Sequence, residues 1–283
     1  MSLSVGQYQL DEVHTGFLWL DGGAMFGTVP KVLWEKFHKP DEKNRIRLAM
    51  RALLVRDKDH IVLVDCGLGD KGGNKFRDMF NVDQVTYHLD ASLKAKGVFK
   101  EDITDVILTH LHFDHAGAAT YQTNAGKWQP TFRNATYHLQ QKNLEVAKVP
   151  NPRERASYLP EIFEALVESD QLKLHDGPIE LLPGIQLYVS CGHTKAQQHP
   201  MISDGKQTVF YGGDLFPTRA HIPLPWIMGY DLQPLVMLEE KNAILSRAQN
   251  ENWIMFYEHD DAVMASRIVK DKKGFAAGDA VEF

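Results

Sequence analysis

The chain is poor in cysteine: Cys66 and Cys191 are the only two among 283 residues. Neither belongs to a Cys-x-x-Cys pair, which argues against a disulfide framework and against a cysteine-built zinc site. Both are expected as reduced thiols. No apolar run approaches the length of a bilayer span, so no membrane contact is expected. The opening residues Met1–Val5 lack a basic segment leading into an apolar one. No signal peptide is therefore expected, and the cytoplasm is the expected location. An excess of positive charge is also missing: 31 Lys and Arg stand against 37 Asp and Glu, for a formal net charge of −6. That balance speaks against a nucleic-acid partner, which would require a basic face. The glycine-rich stretch Asp21–Gly27 is not followed by Gly-Lys-Ser/Thr and so is not a phosphate loop. Low-complexity segments and breaks in composition are absent too, so a single domain over residues 1–283 is expected, long enough to bury a sizeable core.

What the chain does have is histidine in one concentrated stretch. His110, His112, Asp114 and His115 follow directly on the run Asp105–Leu108. A strand is expected to deliver them to a loop. In extended chain His110 and His112 point the same way, because side chains alternate with period two. Asp114 and His115 then turn off as Ala116–Ala119 opens a helix. Two donors on one side and two on another suit two adjacent metal ions better than one, and these donor types bind zinc, manganese or iron at neutral pH.

Other strands end in a similar way. Residues 185–190 lead to Cys191-Gly192-His193, residues 207–211 to Gly212-Gly213-Asp214, and residues 253–257 to Glu258-His259-Asp260. The continuously apolar run 61–64 stops at Asp65, read either as a turn cap or as an acid that orients a ligand histidine. Further strands are expected over 7–20, 46–56, 103–108, 136–139, 179–182, 199–203 and 262–270. Helices are expected over 84–96, after 139, over 160–169 and over 234–250. The loop 21–27 is either a plain turn or a presenter of Met25 and Phe26 to a pocket. The irregular, aromatic and proline-rich stretch through Phe216, His221, Trp226, Met228 and Tyr230 reads as a pocket wall. The element order predicts an α+β fold, with two packed sheets and helices outside in an αββα sandwich.

His-x-His-x-Asp-His with His193, Asp214 and His259 downstream resembles the metallo-β-lactamase superfamily over essentially the whole chain. The resemblance implies the four-layer αββα fold, with two mixed sheets face to face and the site at one edge between them. It implies His110, His112 and His193 around a first divalent metal and Asp114, His115 and His259 around a second. Asp214 would bridge the two, and Asp65 would stand behind the ligands. Zinc is the expected metal, with manganese, iron or cobalt accepted by the same donors.

Several branches of the superfamily fit poorly. The best-known β-lactamases place a cysteine where Asp214 stands. Flavin-linked di-iron enzymes usually carry an acid at the place of His112 and an added flavodoxin domain. Superfamily nucleases need a nucleic-acid surface. Glyoxalase II-like thioesterases append a helical domain for which the stretch after His259 is too short. What remains is similar to the N-acyl-homoserine lactonases and to organophosphate hydrolases such as methyl parathion hydrolase. Residues 22–27 and 225–231 resemble stretches of quorum-quenching lactonases. One departure concerns the substrate side: many relatives continue Gly-His-Thr with Pro-Gly-His, whereas this chain reads Lys195-Ala196-Gln197-Gln198-His199.

The expected activity is therefore hydrolysis of an ester or lactone by a hydroxide held between two metals. Asp114 would move a proton to the leaving group. Met25, Phe26, Phe216, Trp226, Met228 and Tyr230 would hold an acyl chain, and Tyr230 or His221 would donate a hydrogen bond to the substrate. A phosphotriesterase, phosphodiesterase or thioesterase on the same metals is the alternative enzyme class. A non-catalytic metal-loaded sensor is a third reading, disfavoured by the intact ligand set. A small-molecule substrate is expected, and the exposed aromatic loops fit a pocket mouth or a homodimer contact equally well.

Overall fold

The computed structural model describes residues 2–283. Strands β1 (Leu3–Val5), β2 (Tyr8–Asp21), β3 (Arg45–Arg56), β4 (Ile61–Val64) and β5 (Asp105–Ile107) lie side by side in that order. A small hairpin of β6 (Thr120–Gln122) and β7 (Trp128–Pro130) interrupts the sequence. The first sheet is then completed by β8 (Thr136–Gln140) and β9 (Leu172–His175). The second sheet takes its strands in chain order: β10 (Ile179–Leu182), β11 (Ile185–Ser190), β12 (Gln197–Ser203), β13 (Thr208–Tyr211), β14 (Ile254–Phe256), β15 (Ala265–Asp271) and β16 (Gly274–Ala280).

The helices are α1 (Gly22–Phe26), α2 (Lys31–Trp34), α3 (Gly73–Met79), α4 (Leu89–Ala95), α5 (Phe113–Ala116), α6 (Gln141–Lys148), α7 (Pro160–Val167) and α8 (Pro234–Asn250). Most neighbouring strands are antiparallel. The pairs β4/β5, β5/β8 and β8/β9 are parallel in the first sheet, as is β13/β14 in the second. Parallel neighbours need a crossover on the outside of the sheet. α4 lies in the connection from β4 to β5, α5 and the small hairpin in that from β5 to β8, α6 and α7 in that from β8 to β9, and α8 in that from β13 to β14, giving helix, sheet, sheet, helix.

Packing explains the apolar runs. In β4, Val62 and Val64 face the second sheet, in one core with Ile185, Leu187, Val209, Tyr211 and Phe256. Leu63 faces the other way, among Leu89, Leu93, Ile162 and Leu166 of the outer helices. A strand covered on both faces has no reason to alternate. On the far side, Phe210 and Met255 pack against Met237, Ile244 and Leu245 of α8.

Some boundaries differ from the sequence reading. The glycine-rich loop 21–27 is a short helix, because Asp21 caps it: its Oδ1 accepts from Ala24 N at 2.8 Å. The helix expected from residue 84 starts at Leu89, with the His88 ring as its cap, and Val85 lies outside it, 92% exposed. The last strand is followed by a further one, β16. β1, β9 and α3 are also additions. Among the described residues no helix is long and apolar enough to cross a membrane.

The topology gathers strand ends. β4 and β5 run parallel and side by side, so Asp65 and the histidine stretch emerge at the same edge. β13 and β14 do the same for Asp214 and His259. Ligand sites lie outside such carboxyl ends of parallel strands.

Candidate metal centre

The backbone at this edge is under local constraint. Asp65 adopts a left-handed conformation, φ 56°, which a carboxylate residue tolerates better than most. Its side chain holds the next strand end in place. Oδ1 accepts from Thr109 N at 2.7 Å and Oδ2 from Thr109 Oγ1 at 2.7 Å. Two glycines allow the motif loops to sit close. A Cβ on Gly117 would lie 2.3 Å from Leu68 O, and one on Gly192 would lie 2.6 Å from Met237 Cα.

The structure brings the expected donors together in two groups. His110, His112, His193 and Asp214 offer atoms within 4.8 Å of one another, and so do Asp114, His115 and His259. Asp214 lies between them: its Oδ2 is 3.0 Å from His193 Nε2 and 3.4 Å from His115 Nε2, and its Oδ1 is 3.3 Å from His259 Nε2. Asp114 Oδ2 is 3.7 Å from His259 Nε2. All seven side chains are buried.

This donor set fits divalent metal ions. His110 Nε2 and Asp214 Oδ1 are buried with no hydrogen-bond partner. Ring nitrogens face one another, His112 Nδ1 to His193 Nε2 at 3.3 Å and His115 Nε2 to His259 Nε2 at 3.2 Å. Ring nitrogens and carboxylate oxygens gathered this closely suit divalent cations, which displace the ring protons on binding. The electrostatics carry the same demand. Burial alone would lower the His193 and His259 rings, yet Asp214 outweighs it and holds them up at about 10 and about 9. His110 and His112, dominated by burial and then by neighbouring rings, are pushed well below the ordinary imidazole value.

The remaining ring nitrogens are anchored, which fixes ring orientation. His110 Nδ1 donates to Thr109 Oγ1 (3.0 Å) and His259 Nδ1 to Ala49 O (2.8 Å). His193 Nδ1 donates to Asp231 Oδ1 at 3.0 Å. His115 Nδ1 faces two carboxyls, Asp65 Oδ2 at 3.2 Å and Glu258 Oε2 at 2.9 Å. Tyr211 donates its hydroxyl to that same Glu258 oxygen at 2.8 Å. Burial pushes the Glu258 carboxyl up to about 8, against the downward pull of His115. Glu258 and Asp231 were not among the residues the sequence singled out. The one signal for Glu258 is its place directly before His259, at the end of a buried strand.

A cavity of about 400 Å³ opens over the donors. His112, Asp114, His193, Asp214 and His259 form its polar floor, and Leu20, Met25, Phe80, Phe113 and Met228 its apolar wall. Arg153, Glu154 and Tyr230 stand in the lining beside them. Of the aromatic and methionine candidates, Met25, Met228 and Tyr230 therefore line it. Phe26, Phe216, His221 and Trp226 do not, and this corrects the expected pocket wall. The irregular loop turns its rings inward, away from water. Phe26 stacks on Trp34 and His221 at ring separations of 5.4 and 4.6 Å. His221 Nε2 donates to Met25 O at 2.8 Å, Trp226 packs edge-on against Phe26, and Phe216 joins the core under α8. His199, in the stretch that departs from Pro-Gly-His, lies within β12, its Nε2 2.8 Å from Ser190 Oγ and away from the donors.

Fold, strand-end donors and cavity together are those of the metallo-beta-lactamase superfamily. The model of the Metallo-beta-lactamase superfamily matches residues 51–259, and the chain belongs to that family. Among individual proteins, it is 27% identical over 172 residues to an N-acyl homoserine lactonase of Bacillus cereus, spanning 58% of this chain and 62% of that relative. The crystal structure of a probable metal-dependent hydrolase from Staphylococcus aureus is similar throughout, with a TM-score of 0.90, 30% identity and 99% of each chain covered. AidC, a dizinc quorum-quenching lactonase solved with a product, shares the fold at a TM-score of 0.79 and 19% identity, over 100% of this chain and 98% of its own.

Proposed function

We propose that the protein is a binuclear metal-dependent lactonase that opens the ring ester of N-acyl homoserine lactones. The observation that carries this reading is the pairing of two donor groups around Asp214 with an apolar-walled cavity directly above them. The N-acyl homoserine lactonase relatives point to the same substrate class. In this reading His110, His112 and His193 would hold one ion and Asp114, His115 and His259 the other, with Asp214 between the two groups. Zinc is the metal this reading proposes. Bound divalent ions supply Lewis acidity and an activated water at neutral pH.

The chain's own residues do the rest. Asp65 and Glu258 fix the His115 ring and Asp231 fixes His193, so the donors need not reorganise during the reaction. Leu20, Met25, Phe80, Phe113 and Met228 exclude water and take up the acyl chain. Burial raises the Tyr230 hydroxyl to about 12, so it stays protonated as a hydrogen-bond donor to the substrate carbonyl. Asp114, in the cavity floor, carries the proton to the departing ring oxygen.

The deciding experiment is a pH-stat assay of metal-reconstituted protein on short- and long-chain N-acyl homoserine lactones, with Asp114→Asn beside it. Metal-dependent acid release is expected, reduced about 100-fold or more in the variant, the usual range for losing a general acid. Protein with two ions bound and no acid release from any lactone would overturn the lactonase reading. Phosphotriesters and thioesters would then be the next substrates to test.

A further inference from the structure

Lys241 sits on α8, 1% exposed, with no carboxylate in contact. Its ammonium instead meets four main-chain carbonyls of one loop. Nζ is 2.7 Å from His221 O, 2.7 Å from Trp226 O, 3.1 Å from Pro223 O and 3.4 Å from Leu224 O. This segment has almost no regular structure, one 3₁₀ turn over Arg219–His221 excepted. Of its four inward carbonyls only Pro223 O has a main-chain partner, Trp226 N at 3.0 Å; the others lack what a helix or strand would provide. Buried carbonyls must be satisfied, and a buried ammonium without partners is costly. Each solves the other's problem, so the loop is wound around a single side chain of the following helix.

The loop held in this way serves the site at two points. Downstream it carries Met228 and Tyr230 into the cavity lining. It then places Asp231, whose Oδ2 accepts from Met228 N at 2.8 Å and whose Oδ1 receives His193 Nδ1 at 3.0 Å. His221, whose own carbonyl is in the cage, donates to the main chain of Met25, another residue of the cavity lining. The cage thus reaches Met25 through His221 and, across the two-residue backbone step from Trp226 to Met228, Asp231 and His193.

We propose that Lys241 is a positioning residue: by gathering the carbonyls of residues 221–226 it sets both the cavity wall at Met228–Tyr230 and, through Asp231, the orientation of His193. The substrate half of this inference rests on the lactonase reading, and the metal half does not.

The test compares Lys241→Met with Leu245→Ala. Leu245 is fully buried one turn further along the same helix, and its truncation loosens the packing of α8 while leaving the ammonium in place. Three quantities are read for each: the thermal midpoint, zinc affinity by chelator competition, and kcat and KM on an N-acyl homoserine lactone at saturating zinc. For Lys241→Met, KM is expected to rise about tenfold with kcat held within about threefold, and zinc affinity to fall about tenfold. Leu245→Ala is expected to lower the midpoint only. A Lys241→Met protein that matches Leu245→Ala, less stable but unchanged in KM and zinc affinity, would reduce the lysine to a packing role and overturn the proposal. Should Lys241→Met fail to fold, Lys241→Gln, which keeps two N–H donors, is scored by the same readouts. Should the wild type open no lactone, zinc affinity alone decides, and an unchanged value overturns the proposal.

Discussion

At the scale of single residues, the site depends on acids that touch no substrate. Asp65 shows this most clearly. It accepts from Thr109 twice and lies beside His115 Nδ1. Asp65→Asn would present an amide N–H₂ to groups that are themselves donors. Metal affinity is expected to fall about 10- to 100-fold, as for other partners behind ligand histidines. Chelator competition checks this, and wild-type affinity in the variant would refute the role. The seven donors were legible in the sequence because they follow the ends of strands, Asp114 and His115 in the short helix α5 just beyond β5, a pattern visible without coordinates. Glu258 and Asp231 were not. Glu258, an acid beside a histidine, looks solvated in sequence, and Asp231 lies in an irregular stretch with no sign of its pairing to His193; only the folded chain shows that both are buried.

At the scale of elements, legibility followed burial. β4 and β13 were readable because both faces are covered and every residue is apolar or nearly so. β16 has only one buried residue, Phe275, and α3 has none, so neither carried a periodic signal. α1 was misread because Gly22 and Gly23 resemble a turn, while the Asp21 cap acts through geometry. The Phe216–Tyr230 stretch reaches the cavity only at its end, through Met228 and Tyr230, and which of its rings face inward was not legible. That choice depends on partners outside the loop, Trp34 against Phe26 and, in the proposed reading, Lys241 of the following helix. One close contact between elements has a direct consequence. α5 ends against the loop after β4, where Gly117 leaves no room beyond Leu68 O. Gly117→Ala is expected to cost about 1–3 kcal/mol, as overpacking typically does, and to weaken metal binding by pushing α5 away from Asp65. A urea midpoint equal to that of wild type would contradict it.

At the scale of the whole molecule, stability should depend on acid in a defined window. Burial holds His14 and His221 down at about 3 and His175 at about 4. For His14, Arg51 and Arg47 add to the burial effect. In the unfolded chain these rings titrate near their ordinary value of 6.5. The unfolded state therefore binds protons that the fold refuses, and the stability present above that value is lost as pH falls. The urea midpoint of metal-free protein is expected to decline between about pH 6.5 and pH 4. His14→Phe, which keeps the ring contacts with Phe17 and Tyr87, should flatten part of the slope. A midpoint constant across that range would contradict the assignment.

The division of the donors between the two sheets bears on how the protein matures. His110, His112, Asp114 and His115 follow the first sheet's β5, while His193, Asp214 and His259 follow strands of the second. Neither half of the chain holds a complete set. In the proposed reading, ions are captured only after the halves have met in register, so metal uptake proofreads assembly. A misdocked chain would lack the chemistry altogether instead of performing it badly.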